Sequence, residues 1–329
     1  MTYGALEEPV LAIAFNRPKY FTELLTRLRT AAPQRLYIAV DGARASRPDD
    51  EAAVQACRDL TRTVDWPCEV RTLFQSQNLG CGAGVTAAIT WFLENEERGI
   101  ILEDDILPDP TFFPYCAALL ERFAEDDRVF AISGCNLVPP EHQTDPELPY
   151  RFSQVPHIWG WAAWRRTWQN HRLELGDWQD GLDARTLWDR TGQSLTGALT
   201  WGAVFEMVSQ GLVDTWDAQL VYASMQTGQW TATCNVNLTE NVGSEGATHE
   251  NATDYDAQPV RGVRLPLVEV PVVLDHGADR WTRTHHFQSA ARARQAMGLR
   301  SSRFRDFVDE VRQLSRESAD EASRDRYSP

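Results

Sequence analysis

The sequence predicts an α/β protein with a mainly parallel β-sheet flanked by helices. Short apolar runs, which are typical of buried strands, alternate along the first half of the chain with segments whose apolar residues recur at helical spacing. This alternation favours parallel strands that are connected by helices on both faces of the sheet. The chain has 329 residues and is 43% hydrophobic, which is enough for a large core.

The same patterns place the individual elements. We predict strands over 9–15, 36–40, 69–74, 99–102 and 129–133, and helices over 21–31, 51–63, 84–96 and 111–123. In the second half we predict helices over 182–211, 216–227 and 285–324, a polar loop over 235–246, and a strand in the surface segment 260–273. The last helix has an apolar stripe at helical spacing, formed by Phe304, Phe307, Val308, Val311 and Leu314.

Composition excludes several classes of protein. The net charge of −15 argues against a nucleic-acid partner, which would need a basic surface. The six cysteines include no Cys-x-x-Cys pair, which favours free thiols in a reducing compartment over a zinc site or disulfides. Residues 1–9 lack the regions of a signal peptide, and no apolar run reaches the roughly 20 residues that span a bilayer. We therefore expect a cytoplasmic protein without a transmembrane segment.

Three of the predicted strands end in polar clusters. Asn16-Arg17 follows the first strand, Asp41-Gly42 follows the second, and Glu103-Asp104-Asp105 follows the fourth. Because ligands bind at the carboxyl ends of parallel strands, we expect these clusters to converge on one site. A buried strand that ends in three carboxylates needs a cation, and a divalent cation bridging to a phosphate-bearing ligand is the simplest one. In an extended strand, residues 103 and 105 would point to one side and 104 to the other.

The absence of three known sequence signatures limits the alternative functions. The glycine-bearing segment 78–84 is not a P-loop, because it lacks the Gly-x-x-x-x-Gly-Lys pattern. It either brings backbone close to a ligand or simply begins a helix at residue 84. A nucleotidylyltransferase would need a glycine-rich basic signature after the first strand, and a haloacid-dehalogenase-type phosphatase would need Asp-x-Asp-x-Thr. The sequence has neither.

A series of short motifs, taken together and in order, resembles the GT-A-fold nucleotide-sugar glycosyltransferases. The likeness is greatest to the N-acetylglucosaminyltransferases that begin complex N-glycans and to their bacterial relatives. It covers residues 10–249, and nothing beyond about residue 259 contributes to it. The motifs are Phe15-Asn16-Arg17-Pro18, Val40-Asp41-Gly42, Asn78-Leu79-Gly80, Ile101-Leu102-Glu103-Asp104-Asp105, Pro110-Thr111-Phe112-Phe113-Pro114-Tyr115, Gly160-Trp161, Trp216-Asp217 and Thr248-His249.

The resemblance implies an inverting, metal-dependent enzyme that moves a sugar from a UDP-sugar donor to a saccharide or another hydroxyl acceptor. Asp105 would coordinate Mn²⁺ or Mg²⁺ between the two donor phosphates, since hard cations prefer carboxylate oxygens. His249 would be a further metal ligand or a phosphate contact. Glu103 and Asp104 would contact ribose or metal-bound water, and Arg17 would bind the diphosphate or ribose.

The remaining roles concern the base, the sugar and the acceptor. Asp41 would accept a hydrogen bond from a uracil ring nitrogen, and Asn78 and Gly80 would lie against the ribose or the sugar. Asp217 would be the catalytic base that deprotonates the acceptor hydroxyl. Asp214 and Glu206 are rivals for that role.

The tryptophans in the segment 157–168 have two interpretations. Trp161 is our candidate for stacking on a sugar or closing over the donor, with Trp159 and Trp164 beside it. The helical spacing of Trp161 and Trp164 favours packing in the core instead.

We expect residues 1–275 to form the glycosyltransferase domain, with a nucleotide-binding half (1–135) and an acceptor half (136–275). Residues 276–329 would form a C-terminal helical extension. The alternative function is a catalytically degenerate GT-A domain that binds a nucleotide sugar or a partner. The amphipathic C-terminal helix would then be a surface for that partner or for a second copy of the chain.

Overall fold

The computed structural model describes residues 5–243, 258–287 and 301–325. It confirms the predicted α/β class, with an eight-stranded, mostly parallel sheet covered by helices on both faces. Among the described residues, no helix combines the length and the apolar character needed to cross a bilayer. The division into two domains stays a prediction.

The strands follow one another along the chain as β1 (Val10–Ala14), β2 (Arg35–Val40), β3 (Glu69–Phe74), β4 (Arg98–Glu103), β5 (Ile106–Pro108), β6 (Val129–Ser133), β7 (Tyr150–Ser153), β8 (Trp161–Trp164), β9 (Trp230–Cys234) and β10 (Thr239–Asn241). The main sheet has the order β3-β2-β1-β4-β8-β6-β9-β7, and β5 pairs separately with β10. Strands β3, β2, β1 and β4 are parallel, whereas β8 runs antiparallel to both of its neighbours.

The helices are α1 (Pro18–Ala31), α2 (Asp49–Leu60), α3 (Gly80–Asn95), α4 (Phe112–Arg122), α5 (Arg165–Trp168), α6 (Trp178–Gly181), α7 (Ala184–Arg190), α8 (Leu195–Ser209), α9 (Asp217–Thr227), α10 (His276–Trp281) and α11 (Ser302–Asp325). Single turns of 3₁₀ or π helix occur at Thr61–Thr63, Pro140–His142 and Thr282–His286.

The two faces of the sheet follow from the alternation of side chains along each strand. In β1, Val10, Ala12 and Ala14 face the layer that contains α1, α2 and α4. Leu11 and Ile13 face the opposite layer, which contains α3 and α9. Because both faces of the sheet are covered, the central strands consist of continuous apolar sequences.

Several element predictions differ from the structure. The predicted helix over 182–211 is divided into α7 and α8, because Gly192 and Gln193 adopt the left-handed conformation, with φ of +65° and +55°. The segment 260–273 forms isolated bridges at its edges and no regular strand. Trp161 and Trp164 lie on strand β8 instead of a helix, and they pack into layers on opposite faces of the sheet.

The C-terminal helix α11 packs against α7 and α8. Its predicted stripe is confirmed: Phe304, Phe307, Val308 and Val311 are buried in a second core with those helices. Contact is close because position 202 in α8 is glycine, where a Cβ would lie 2.4 Å from the Phe307 ring. Helices α7 and α8 therefore cover these four residues of the stripe, whereas its fifth residue, Leu314, is only partly buried.

Candidate functional site

The carboxyl ends of β1, β2 and β4 lie side by side at one edge of the sheet. Strand β1 is between the other two, with Ala14 paired to Val40 and Ile13 paired to Glu103. The segments that follow these strands therefore meet. They carry Arg17, Asp41 and the acidic run that begins at Glu103.

Arg17 forms ion pairs with two neighbouring carboxylates. Its Nη2 donates to Asp104, and its Nη1 donates to Asp105 Oδ2 at 3.0 Å. Burial by itself would lower the pKa of Arg17, but the two carboxylates raise it above its ordinary value, so the guanidinium stays charged. Burial raises the pKa of Asp104 to about 6, although the positive charge of Arg17 opposes that rise.

The expected alternation of the three acids was wrong beyond residue 103. Strand β4 ends at Glu103 and the chain turns there. Asp104 and Asp105 consequently reach the same guanidinium instead of pointing to opposite sides of a strand.

Among the described residues, Glu103 forms no ion pair of this kind. No hydrogen bond from the described part of the chain reaches its carboxyl group. Burial raises its pKa well above the ordinary value, and the charges of Asp105, Asp104 and Asp217 raise it further. The influence of Asp217 places the start of α9 in the same acidic site.

Two carboxylates from distant loops cap the N-terminus of α3. Asp41 accepts from the backbone N–H groups of Leu79 and Gly80, at 3.0 and 3.2 Å. Asp214 accepts from those of Cys81 and Gly82, at 3.1 and 2.9 Å. These are the four donors that a helix start leaves without an intrahelical partner.

The glycines of the segment 78–84 make this capping possible. A Cβ at Gly80 or Gly82 would lie 2.8 or 2.6 Å from the Asp214 carboxylate, and Gly80 has a φ of +84°. The helix accordingly begins at Gly80, four residues before the predicted start. Asn78 also donates to Asp41, at 2.9 Å. Asn78 and Gly80 thus hold Asp41 in place, and their contact with a donor stays a prediction.

Asp217 is the first residue of α9. Its carboxylate accepts from the Thr215 hydroxyl and, at 2.7 Å, from the backbone N–H of Ala218. Of its two rivals, Asp214 is engaged at α3. Glu206 is buried in the second core, where it accepts from Trp178 and Gln210. Of the three acids, Asp217 is the one named among the charges that raise the pKa of Glu103, and the residue is partly exposed.

Trp161 packs against Trp216, the residue that directly precedes Asp217. It is 2% exposed, and its ring stacks on Trp216 with centroids 5.8 Å apart and an interplanar angle of 23°. Trp216 is also held through its carbonyl, which accepts from His171 Nε2 at 3.1 Å. This burial agrees with the packing interpretation, and contact of Trp161 with a ligand stays a prediction.

A short strand beside the acids was not predicted from the sequence. The loop predicted over 235–246 contains β10, which pairs with β5 directly after Asp105. The Val242 N–H donates to the Asp105 carbonyl at 2.9 Å. A Cβ at Gly243 would lie 2.1 Å from Asp105 Oδ2. His249 lies outside the described residues, so its role stays a prediction.

The carboxylates of the site suit a metal ion whose coordination is completed by the substrate. Within the described ranges, no group of three His, Cys, Asp or Glu side chains is arranged to bind a metal ion by itself. Asp105 and Glu103 nevertheless provide the oxygen donors that hard cations prefer. Mg²⁺-type sites often use one or two carboxylates and complete their coordination with substrate phosphates and water.

The fold and its strand-end acids define the protein as a Rossmann-like α/β chain. No protein-family model matches it. Among solved structures it is similar to HddC from Yersinia pseudotuberculosis, with a TM-score of 0.30 and 10% identity over 48% of this chain and 77% of that chain. It is also similar to the inositol-1-phosphate CTP transferase from T. maritima, with a TM-score of 0.33 and 12% identity over 70% of this chain and 86% of that chain. Both TM-scores lie below 0.5, so neither likeness bears on the activity of this chain.

Proposed function

We propose that this chain is an inverting, metal-dependent glycosyltransferase that moves a sugar from a UDP-sugar to a hydroxyl acceptor. The observation that carries the proposal is the meeting of Arg17, Asp105, Glu103 and Asp217 at the carboxyl edge of the sheet. The site joins a cation able to bind phosphate, acids able to bind a metal, and a partly exposed acid able to take a proton.

Arg17 and Asp105 form the proposed diphosphate end of the site. Arg17 binds phosphate oxygens through paired hydrogen bonds. Asp105 would hold Mn²⁺ or Mg²⁺, which would offset the charge that develops on the leaving diphosphate. Asp104, which is buried against Arg17, keeps that guanidinium at the edge of the site.

Asp41 has a supporting role in this proposal. Its carboxylate already accepts from Gly42, Leu79, Gly80 and Asn78, which is close to the capacity of a carboxylate. It therefore fixes the turn before α3, and its contact with a uracil ring nitrogen is the finer prediction.

Asp217 is the proposed general base. It takes the proton of the acceptor hydroxyl as that oxygen forms a bond to the anomeric carbon of the sugar. The bond from the same carbon to the diphosphate breaks, and UDP leaves from the opposite face. The sugar is transferred with inversion of its anomeric configuration.

Turnover with a panel of UDP-sugars and acceptors tests this proposal. We expect Mn²⁺-dependent release of UDP and a β-linked product from an α-linked donor. Asp105→Asn and Asp217→Asn should each lower kcat/KM by roughly a hundredfold or more. Asp126→Asn is the control, because Asp126 pairs with Arg128 at the surface, away from this site.

Four results would contradict the proposal or a part of it. Full activity in Asp105→Asn would remove the metal-binding assignment, and an α-linked product would remove inversion. Tight UDP binding without turnover would favour the degenerate binding module. Release of pyrophosphate from a nucleoside triphosphate and a sugar phosphate would favour a nucleotidylyltransferase.

A further inference from the structure

Arg17 is the counter-ion at the acidic end of β4. Its guanidinium binds one carboxylate that is 2% exposed, Asp104, and one that is 15% exposed, Asp105. The Arg17 side chain itself is 24% exposed. One of its two contacts is therefore buried, and the other lies at the open edge of the site.

The outer contact lies where a metal would bind. A divalent cation held by Asp105 would be about 2.0–2.6 Å from a carboxylate oxygen. Arg17 Nη1 is now 3.0 Å from Asp105 Oδ2, and Gly243 closes the space beside both groups. A metal at that oxygen would meet a positive charge at close range, so the two cations would repel each other.

We propose that Arg17 is a resident counter-ion that a divalent cation displaces from Asp105, and that the displaced guanidinium pairs with the diphosphate of a nucleotide. The inference rests on the proposed donor site and adds how that site is loaded. A planar guanidinium binds phosphate oxygens with the same fork of donors that it offers to carboxylates. Arg17 keeps its ion pair with the buried Asp104 in either position.

The exchange couples the binding of metal and nucleotide. Metal alone binds weakly, because it must break the contact between Arg17 and Asp105 without giving Arg17 a new partner. A diphosphate supplies that partner, so each ligand raises the affinity for the other by the same factor.

The test is a titration of the full chain with Mn²⁺ alone, followed by the EPR signal of the free ion. We expect Mn²⁺ to bind roughly tenfold more tightly to Arg17→Gln than to the wild type, because the competing charge is gone. UDP should then raise the Mn²⁺ affinity of the wild type by a larger factor than that of Arg17→Gln.

Arg98→Gln is the matched control. Arg98 also bridges two carboxylates, Glu8 and Glu121, but at the other end of β4. Its loss should leave the Mn²⁺ affinity unchanged. Thermal unfolding of each variant identifies which of them are folded.

An equal or lower Mn²⁺ affinity in Arg17→Gln overturns the proposal. Should the glutamine variant not fold, Arg17→Met decides. Methionine removes the charge and keeps a flexible, unbranched side chain, so we expect it to free Asp105 and to tighten Mn²⁺ binding, and an unchanged affinity overturns the proposal. Absence of UDP binding to the wild type in the presence of Mn²⁺ would contradict the donor site instead, while the comparison with Mn²⁺ alone still decides the role of Arg17.

Discussion

At the scale of single residues, the acidic end of β4 depends on which group lies against each carboxylate. Asp104 is paired and buried, Asp105 is paired at the edge, and Glu103 carries a raised pKa among like charges. Removing one partner from such a cluster leaves the other charges uncompensated. Loss of the buried partner should therefore cost stability, whereas changes beside the more exposed Asp105 should alter ligand binding more than they alter folding.

Gly243 lies beside Asp105, and a substitution there tests the role of that carboxylate. A Cβ there would lie 2.1 Å from Asp105 Oδ2, so Gly243→Ala must displace Asp105 or its own backbone. We expect Mn²⁺-dependent UDP binding, measured by calorimetry, to weaken by roughly tenfold, or about 1.4 kcal/mol.

Gly176→Ala is the matched control for Gly243→Ala, because no heavy atom lies within 4 Å of a Cβ built at Gly176. Its affinity for UDP and Mn²⁺ should equal that of the wild type. An unchanged affinity in Gly243→Ala would show that Asp105 does not act in ligand binding from its present position.

At the scale of elements, helix α3 is tied to the start of α9 through Asp214. This carboxylate lies three residues before Asp217 and accepts from two N–H groups at the start of α3. A negative charge is stabilising there because it meets the positive end of the helix dipole. The capping contact therefore also connects α3 to the segment that carries the proposed base.

Asp214→Ala should lower both stability and activity. Loss of a cap costs about 1 kcal/mol of unfolding free energy, measurable by urea denaturation. We also expect kcat to fall more than KM rises, because the segment that carries Asp217 loses its anchor.

Asp183→Ala separates the two effects. Asp183 caps α7 by accepting from the Thr186 N–H at 2.7 Å, in the second core. It should lose a similar amount of stability and keep its kcat. Equal loss of kcat in both variants would mean that Asp214 acts only through global stability.

At the scale of the whole molecule, the free energy of unfolding depends on pH through buried groups whose pKa is shifted by burial. His171 stacks on Trp168, with ring centroids 3.9 Å apart, and lies under Trp216. Burial lowers its pKa to about 4, although its hydrogen bond to the Trp216 carbonyl opposes that shift. Asp104 acts in the opposite direction over part of the same range, since burial raises its pKa to about 6.

The contribution of His171 should disappear as the solution becomes acidic. The unfolded chain takes up a proton at this histidine near pH 6.5, while the folded chain does so only near pH 4. Stability is thus fully present above about pH 6.5 and is lost as the pH falls towards 4. The loss should reach up to about 3 kcal/mol.

Chemical denaturation of the wild type and His171→Gln between pH 7 and pH 4 measures this effect. Glutamine can still donate to the Trp216 carbonyl but does not titrate. The wild type should lose stability relative to the variant over that interval, and a constant difference would contradict the assignment to His171. Comparing the two proteins removes the opposing effect of Asp104, which both contain.

The sequence by itself determined the class of the fold and most elements of its first half. Apolar runs and helical periodicity are local patterns, and they place β1 to β4 and the helices between them because each segment must bury one set of side chains. Parallel topology then brings Arg17, Asp41 and the acidic run to one edge. The apolar stripe of α11 was predictable for the same local reason.

Only the tertiary structure decided how the groups at that edge pair. Arg17 and Asp105 are 88 positions apart in sequence, and Cys81 and Asp214 are 133 apart. Such contacts depend on how distant loops meet, which no local pattern records. For the same reason the burial of Trp161 on β8 and the approach of Gly243 to Asp105 emerged only from the fold. Local periodicity therefore supplied the strands that carry the acids, and long-range packing determined the partner of each acid.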